Sequence, residues 1–297
     1  MGRIAFIFSG QGDQHPGMGK ALAGREPAAA AVFELCERLR PGTLRQCFEG
    51  TAEELKETVN TQPSLFAMEL AAARVLLERG IRPEAAAGFS LGEMTAAAVS
   101  GLVEDETGFR LVCRRGELMQ EAAKKQETFM AAVVRLTREQ VEELCSGYDG
   151  IYPVNYNCPG QITVSGLASL MLDFLAGVKA AGGRGIPLQV GGAFHSPFME
   201  EAAQTFGKEL SRVELRTPSI RLYSGMTALP YTSDAAGLLS RQICSPIQWE
   251  STVRRMLQDG IDTFLEIGPG RTLTNMVKKI DTGVTAVSLK EWDEQLC

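Results

Sequence analysis

The chain has 297 residues, of which 44% are hydrophobic and 22% charged, a composition that fits one large α/β domain, alone or with a smaller insert. The net charge of −6 and the pI of about 5.2 argue against a nucleic-acid partner, and no apolar run is long enough to span a bilayer. The seven cysteines form no CxxC pair, and the N-terminus lacks the small-residue cleavage region of a signal peptide. We therefore expect a reduced cytoplasmic protein with no membrane partner.

The first part of the chain is predicted to begin as a strand and to continue as helices. The apolar run Ile4–Phe8 ends at the loop Ser9-Gly10-Gln11-Gly12, and helical patterns follow from residue 18 to about residue 80. Thr51-Ala52-Glu53-Glu54 has the form of a capping box. Gln62-Pro63 is expected to open another helix, because proline is tolerated in the first turn.

The segment around Ser90 carries the strongest functional signal. Gly88-Phe89-Ser90-Leu91-Gly92 is a G-x-S-x-G pattern between an apolar run at 84–87 and a helical run at 91–98. A serine on a sharp strand-to-helix turn points outward, and the two glycines let the backbone bend without Cβ clashes. The N–H groups of a helix N-terminus also favour a developing negative charge. The pattern predicts that Ser90 is a covalent nucleophile.

The middle of the chain predicts a small separate module. Strands are expected at 129–136, 152–157, 161–165 and 186–190, with a capped helix that starts at Thr137 and a second helix at 168–181. The resulting βαββαβ order is that of a ferredoxin-like unit. We place this subdomain at 127–192. The large domain then comprises 1–126 and 193–297, and its alternating helices and strands indicate a parallel sheet.

A serine hydroxyl needs a base within hydrogen-bond reach, and the chain has only two histidines. His195 lies on a loop after a predicted strand, in Ala193-Phe194-His195-Ser196-Pro197, and is the expected base. His15 lies in a polar loop, and we expect it to be structural.

The motifs as a set resemble the malonyl-CoA:acyl carrier protein transacylases, an acyltransferase family of fatty-acid and polyketide synthesis. They occur in this order along nearly the whole chain: Phe8-Ser9-Gly10-Gln11-Gly12, Thr61-Gln62-Pro63, Gly88-Phe89-Ser90-Leu91-Gly92-Glu93, Arg115-Gly116-Glu117-Leu118-Met119, Asn155-Tyr156-Asn157-Cys158-Pro159-Gly160-Gln161, Ala193-Phe194-His195-Ser196-Pro197, Pro246-Ile247-Gln248-Trp249 and Glu266-Ile267-Gly268-Pro269-Gly270. The resemblance implies an α/β-hydrolase-like core with a parallel sheet and a ferredoxin-like insert.

The resemblance also implies the catalytic roles. Ser90 would accept the acyl group, and His195 would act as its base and then protonate the leaving thiol. The backbone carbonyl of Gln248 would hold the imidazole. The backbone N–H groups of Gln11 and Leu91 would form the oxyanion hole, although Gln11 alone would be interpreted as part of a plain turn.

Substrate recognition is expected to depend on Arg115. A guanidinium can clamp the free carboxylate of a malonyl group with two parallel hydrogen bonds, whereas Arg114 points about 100° away on a helix and is expected at the surface. Phe194 would narrow the pocket against an α-methyl branch. Asn157 and Gln161 would line the pocket, with hydrogen bonding within the hairpin turn as the alternative.

The chain departs from the family pattern at two positions. Phe89 stands where many members have His, and Gly225 stands where they have Asn. We expect an altered rate or pocket at Phe89 and a missing polar contact at Gly225. The run 266–270 is expected to be a strand end and turn, because it lacks the Lys-Ser/Thr of a phosphate loop.

The resemblance predicts ping-pong transfer of a malonyl group from malonyl-CoA to the phosphopantetheine thiol of an acyl carrier protein. No metal, redox or tightly bound cofactor is implied, and we expect a monomer. The first alternative is an acyl-thioester hydrolase that edits carrier proteins. The second is a non-enzymatic scaffold. The sequence leaves open whether the pathway is fatty-acid or polyketide synthesis.

Overall fold

A computed structural model describes residues 2–293, and five of its strands form one parallel sheet. These strands are β1 (Ile4–Phe8), β2 (Ala85–Gly88), β7 (Arg221–Leu222), β8 (Thr263–Ile267) and β9 (Thr285–Ser288). Their order across the sheet is β7-β2-β1-β8-β9, and every neighbouring pair is parallel. The sheet places the carboxyl ends of β1 and β2 side by side, and the loops after these two strands carry Gln11 and Ser90.

Four other strands form a separate antiparallel sheet. They are β3 (Thr128–Val134), β4 (Ile151–Cys158), β5 (Gln161–Leu167) and β6 (Arg184–Pro187), in the order β4-β5-β3-β6. The helices α7 (Arg138–Ser146) and α8 (Met171–Ala180) complete a βαββαβ unit. This confirms the predicted α/β fold with a ferredoxin-like subdomain, while its limits at 127 and 192 stay a prediction.

The remaining helices of the described residues surround the parallel sheet. They are α1 (Lys20–Arg25), α2 (Pro27–Leu39), α3 (Thr43–Glu49), α4 (Thr58–Glu78), α5 (Gly92–Val99), α6 (Asp105–Ala123), α9 (Glu200–Leu210), α10 (Ala235–Arg241), α11 (Trp249–Gln258), α12 (Thr272–Ile280) and α13 (Leu289–Trp292). No helix within residues 2–293 is both long and apolar enough to cross a membrane.

The sheet is buried on both faces, as expected for parallel strands covered by helices. Alternate residues of β1 enter different cores: Phe6 and Phe8 pack with the helices of the first half of the chain, and Ala5 and Ile7 pack with Trp249 and its neighbours. Because the period of a strand is two, this alternation means that both faces of β1 are covered, and the strand order places β1 in the middle of the sheet.

The expected helix start at Gln62-Pro63 is wrong. The helix α4 begins at Thr58, so Pro63 lies inside it. Proline cannot donate to the carbonyl four residues earlier, and the Arg40 Nη2 donates to that Val59 oxygen instead, at 3.2 Å. The partner is 19 residues away along the chain, which is why the local pattern did not reveal it.

A backbone bridge joins the small sheet to the large domain. Tyr156 N donates to Ile247 O at 2.8 Å, and Ile247 N donates to Val154 O at 2.9 Å. The bridge lies two residues before Trp249, whose ring packs edge-on against Phe89 with the centroids 5.8 Å apart. The subdomain is therefore anchored next to the Ser90 turn.

Candidate active site

Ser90 occupies the turn between β2 and α5 in a backbone conformation that residues other than glycine rarely adopt, with φ of 55°. Space explains the two flanking glycines: a Cβ on Gly88 would overlap the backbone of Gly92, and a Cβ on Gly92 would overlap the carbonyl of Phe8. The turn is held by hydrogen bonds at both ends, from Phe89 N to Phe8 O at 3.0 Å and from Gln242 Nε2 to Ser90 O at 2.7 Å. The strand-turn-helix predicted from the sequence is confirmed.

His195 lies beside Ser90 and is also in the left-handed region, with φ of 62°. Its Nε2 is 2.7 Å from Ser90 Oγ, and its Nδ1 is 2.8 Å from the carbonyl oxygen of Gln242. Because a carbonyl only accepts hydrogen bonds, Nδ1 carries the proton and Nε2 is left to accept from the serine hydroxyl. Burial and the nearby Arg115 charge lower the pKa of His195 from 6.5 to about 3, so the imidazole is neutral near pH 7.

The assignment of Gln248 as the residue that holds the imidazole is wrong. Gln242, at the start of the 3₁₀ turn Gln242–Cys244, supplies the carbonyl. The same turn receives the backbone N–H of His195 at Ile243 O, 3.1 Å away. The Gln248 carbonyl instead accepts from the N–H and the hydroxyl of Thr252, both at 2.9 Å, as it begins α11.

Arg115 projects from α6 into the same site and is 1% exposed. Its Nη1 donates to Gln62 Oε1 at 2.9 Å, and its Nη2 donates to Gln242 Oε1 at 2.8 Å and lies 3.3 Å from Ser90 Oγ. Burial lowers the pKa of the guanidinium to about 10, so it stays charged near pH 7. Among residues 2–293 no carboxylate forms an ion pair with it. Arg114 lies at the surface, where it pairs with Glu117 at 3.0 Å.

The backbone N–H groups of Gln11 and Leu91 have no hydrogen-bond acceptor within the described part of the chain. Leu91 precedes α5, and the Gln11 loop lies against the Ser90 turn, because a Cβ on Gly10 would be 2.8 Å from the carbonyl of Phe89. The Gln11 side chain donates to Thr58 Oγ1 at 3.3 Å. Two free donors next to a serine turn suit a developing oxyanion.

The three other residues predicted to line the pocket differ in their surroundings and hydrogen bonds. Phe194 is buried next to His195, in the core of the large domain. Asn157 is buried, with Nδ2 donating to Thr163 Oγ1 at 3.1 Å and Oδ1 without a partner among the described residues. Gln161 lies at the hairpin, and its Oε1 accepts from Lys279 Nζ at 3.4 Å. Among the described residues, no hydrogen bond connects Gln161 to Ser90.

Sequence reasoning gave no role to three buried polar residues of the site: Gln62, Glu93 and Gln242. Glu93 accepts from Gln242 Nε2 at 2.8 Å and from the N–H of Gly225 at 3.1 Å. Gln62 and Glu93 lie in motifs quoted for the resemblance. Gln242 follows Leu238 and Leu239 at helical spacing, a signal for a buried polar group.

At the two positions that depart from the family pattern, the structure records local contacts. Phe89 packs on Trp249, as described above. At Gly225 the backbone N–H makes a polar contact itself, and a Cβ there would lie 2.8 Å from Glu93 Oε2.

The site therefore combines a hydroxyl with a neutral imidazole, two free N–H groups and a buried cation. The hydroxyl–imidazole pair provides a nucleophile and its base. The N–H groups can stabilise an oxyanion, and the cation can bind an acidic acyl group. This set suits acyl transfer to or from an acid that carries a second carboxylate.

Comparisons with known proteins agree with this chemistry. The family described as "Acyl transferase domain" matches residues 5–288. The malonyl CoA-acyl carrier protein transacylase of Bacillus subtilis is 35% identical over 299 residues, which cover 98% of this chain and 94% of that protein.

Two solved structures have the same fold. The malonyl CoA-acyl carrier protein transacylase of Clostridium perfringens superposes with a TM-score of 0.94 at 33% identity, covering 99% of this chain and 96% of that one. A malonyl-transacylase in complex with a type II PKS acyl-carrier protein has a TM-score of 0.94 at 32% identity, covering 99% and 97%. The chain is thus an enzyme that belongs to the acyltransferase family it was found to resemble.

Proposed function

We propose that this acyltransferase moves a malonyl group from malonyl-CoA to the phosphopantetheine thiol of an acyl carrier protein, by a ping-pong mechanism on Ser90. The observation that carries the proposal is the Arg115 guanidinium, buried and without a carboxylate partner among residues 2–293, 3.3 Å from the Ser90 hydroxyl. The names of the relatives support the same donor and acceptor.

In the first half-reaction Ser90 Oγ attacks the thioester carbonyl while its proton passes to His195 Nε2. The Gln242 carbonyl accepts from Nδ1–H and so stabilises the imidazolium that forms. The N–H groups of Gln11 and Leu91 stabilise the oxyanion, a contribution of about 3 kcal/mol per donor in comparable sites. The C–S bond then breaks, His195 returns the proton to the thiolate, and CoA leaves a malonyl ester on Ser90.

In the second half-reaction the phosphopantetheine thiol of the carrier protein takes the place of CoA. His195 removes the thiol proton as the sulfur attacks the ester carbonyl. The C–O bond to Ser90 breaks, and the same imidazole protonates Oγ. The proposed steps use only groups of this chain and its two substrates.

Arg115 and Phe194 are proposed to select the acyl group. The guanidinium has donors to spare, because its Nε–H has no acceptor among residues 2–293, and a bidentate pair with a carboxylate is stronger than a neutral hydrogen bond. Phe194 is fixed next to His195 and would crowd an α-methyl branch. Asn157, with a free buried Oδ1, is a pocket-lining candidate. Gln161 Oε1 accepts from Cys158 Sγ within the hairpin at 3.8 Å, which favours the structural alternative for Gln161.

A hydrolase would use the same Ser90–His195 pair with water as the acceptor. The relatives do not favour it, and a hydrolase of simple acyl thioesters has no use for a buried cation next to its nucleophile. A scaffold would need no ordered pair at all. We further propose a monomer in the cytoplasm; the described cysteines, Cys36, Cys47, Cys113, Cys145, Cys158 and Cys244, are all free thiols.

The proposal is tested by the intact mass of the protein after brief incubation with malonyl-CoA, acetyl-CoA or methylmalonyl-CoA. We expect a malonyl adduct on Ser90 that disappears when holo-carrier protein is added, and no adduct on the Ser90→Ala variant. The Arg115→Ala variant should lose malonyl adduct by about tenfold or more relative to acetyl adduct, since a charge-assisted pair contributes about 1.5–3 kcal/mol.

Arg114→Ala is the matched control, because this neighbouring guanidinium is bound at the surface. An unchanged malonyl-to-acetyl ratio in Arg115→Ala would refute the clamp. Steady release of free malonate without transfer would favour the hydrolase, and neither adduct nor turnover would favour the scaffold.

A further inference from the structure

Glu93 is a fully buried acid that the mechanism above does not use. It lies in the first turn of α5, three residues after Ser90. Three donors converge on its carboxyl group: the Tyr231 hydroxyl at 2.5 Å on Oε1, and Gln242 Nε2 at 2.8 Å and Gly225 N at 3.1 Å on Oε2. Burial raises the pKa of Glu93, while these donors and the Arg115 charge act in the opposite direction. Because every partner donates, the geometry suits an ionised carboxylate.

The Glu93 carboxylate and the Ser90 carbonyl together set which way the Gln242 amide faces, because both accept from Gln242 Nε2, at 2.8 and 2.7 Å. An ionised carboxylate only accepts hydrogen bonds, so it can only be approached by the NH₂ end of that amide. The carbonyl end is thereby directed to Arg115 Nη2, at 2.8 Å. In the flipped orientation two NH groups would meet at Arg115 and two oxygens at Glu93.

Glu93 also compensates the positive charge of Arg115 without touching it, because the Gln242 amide lies between the two side chains. A buried cation is costly without an opposite charge, and the Glu93 charge raises the pKa of Arg115 against the effect of burial. No direct ion pair joins the two among the described residues. A carboxylate in direct contact would occupy the N–H groups that a substrate carboxylate needs.

We propose that Glu93 is the positioning residue for selection of an acidic acyl group: through the Gln242 amide it holds Arg115 in place and compensates its charge while leaving its donors free. The inference rests on the proposed malonyl transfer and adds to it a residue that touches neither substrate nor reacting atoms. It predicts that the carboxylate can be lost with little harm to acylation by a neutral acyl group.

The test compares the second-order rate of Ser90 acylation by malonyl-CoA with that by acetyl-CoA in Glu93→Gln. We expect the malonyl-to-acetyl ratio to fall by about tenfold, equivalent to about 1.4 kcal/mol, because a neutral amide at 93 no longer compensates the charge of Arg115, while Ser90 O still holds the Gln242 amide. Tyr231→Phe is the matched control. It removes a buried hydrogen bond from the other carboxyl oxygen, so it measures the structural cost and should leave the ratio nearly unchanged.

The double variant Glu93→Gln, Gln242→Glu separates positioning from simple packing. It restores an amide–carboxylate pair but puts the carboxylate directly on Arg115. We expect the malonyl preference to stay lost in this variant, because the carboxylate at 242 occupies the N–H groups of Arg115. Both acylation rates should fall as well, because the donor to Ser90 O is removed, so the malonyl-to-acetyl ratio is the quantity compared. Recovery of malonyl preference in this variant would contradict the proposal.

Glu93→Asp keeps the charge with a shorter side chain and provides a measurement should Glu93→Gln fail to fold. Its ratio should fall between those of wild type and the double variant. A wild type that forms no malonyl ester would overturn the proposed function itself. A wild type that is malonylated, with an unchanged ratio in all three Glu93 variants, would overturn only the role of Glu93.

Discussion

Ser90 and His195 both occupy the left-handed region of backbone conformation, with φ of 55° and 62°. Each such residue costs about 1–3 kcal/mol and persists only where its surroundings fix it. Gln242 does much of that fixing, because its side chain binds Ser90 O and its backbone oxygen binds His195 Nδ1. One residue therefore sets the 2.7 Å separation of nucleophile and base.

The pH dependence of acylation follows from the burial of His195. Since its pKa is lowered to about 3, the His195 imidazole is almost entirely neutral, and so able to act as a base, throughout the range in which a free histidine would titrate. We expect the rate of Ser90 malonylation, measured by rapid quench between about pH 5 and pH 8, to have no inflection near the ordinary value of 6.5. An inflection at that value, with the protein still folded, would contradict this assignment.

The same shift has a consequence for stability. A histidine whose pKa is depressed in the folded state binds protons more weakly there than in the unfolded chain. The contribution of His195 to the free energy of unfolding is therefore complete above pH 6.5 and is lost as the pH falls from there towards about 3. The free energy of unfolding should change by at most about 1.4 kcal/mol per pH unit in this range. Urea unfolding of wild type across this range measures the slope.

At the scale of elements, the strand-turn-helix from β2 to α5 depends on two glycines that are required by space. Gly88 and Gly92 approach other backbone atoms so closely that a Cβ would overlap them. We expect Gly88→Ala to destabilise the protein by about 1–3 kcal/mol or more, because the obstacle is backbone and cannot move aside. The midpoint of thermal unfolding measures this effect.

Gly24→Ala is the control for that substitution. Gly24 lies in α1, and a Cβ there would meet nothing within 4 Å. Alanine in a helix interior should stabilise by about 0.5–1 kcal/mol relative to glycine. A Gly88→Ala protein as stable as wild type would mean that the turn does not need the close approach described.

The elements that sequence reasoning predicted best are those whose causes are local. The strand Ile4–Phe8 has the predicted bounds, because its continuous apolar run decides them. The capping box at Thr137 is present as expected. By contrast, Pro63 is accommodated by a guanidinium from α2's C-terminal end, and β6 starts two residues before its expected position because it pairs with β3.

The residues of the candidate site also fall into two groups: those that local motifs predict and those that depend on tertiary contacts. Ser90, His195 and Arg115 could be named from motifs, and the structure brings all three within hydrogen-bond distance. The carbonyl that holds His195 could not be found by motif position, since Gln242 and Gln248 are separated by a turn whose path depends on the small sheet bound at Ile247. Hydrogen-bond partners that meet only through tertiary contacts cannot be predicted from the spacing of residues in the sequence.

At the scale of the whole molecule, three acids from distant segments meet behind the Gln11 loop. Glu69 of α4 and Glu266 of β8 are fully buried and Asp13 is half-buried, and burial raises the pKa of each. Glu266 is compensated by the N–H groups of Leu273 and Thr274 at 3.0 and 2.7 Å. Glu69 accepts from the Thr95 hydroxyl at 2.6 Å on Oε2, and its Oε1 has no hydrogen-bond partner among the described residues.

Glu69 is therefore expected to be the acid that carries a proton in the folded protein. Burial raises its pKa well above 4.5, and the charges of Asp13 and Glu266 add to the effect. For an acid raised in this way the stabilising contribution is complete below about pH 4.5, the value of the unfolded chain, and is lost as the pH rises through the folded value. Between about pH 4.5 and the folded pKa the unfolded chain has released this proton and the folded protein still holds it, so the free energy of unfolding should fall there by about 1.4 kcal/mol per pH unit. Above the folded pKa this slope should disappear.

Glu69→Gln tests this directly, because glutamine is a neutral side chain of the same shape that can still accept from Thr95. We expect the free energy of unfolding of wild type to fall relative to this variant as the pH rises from about 4.5 towards the raised pKa of the folded state, with the variant the more stable at the upper end. Glu34→Gln, at an exposed position of α2, is the control and should run parallel to wild type. Parallel curves for Glu69→Gln would mean that Glu69 is ionised in the folded protein, and its buried charge would then need a cation that none of residues 2–293 supplies by direct ion pairing.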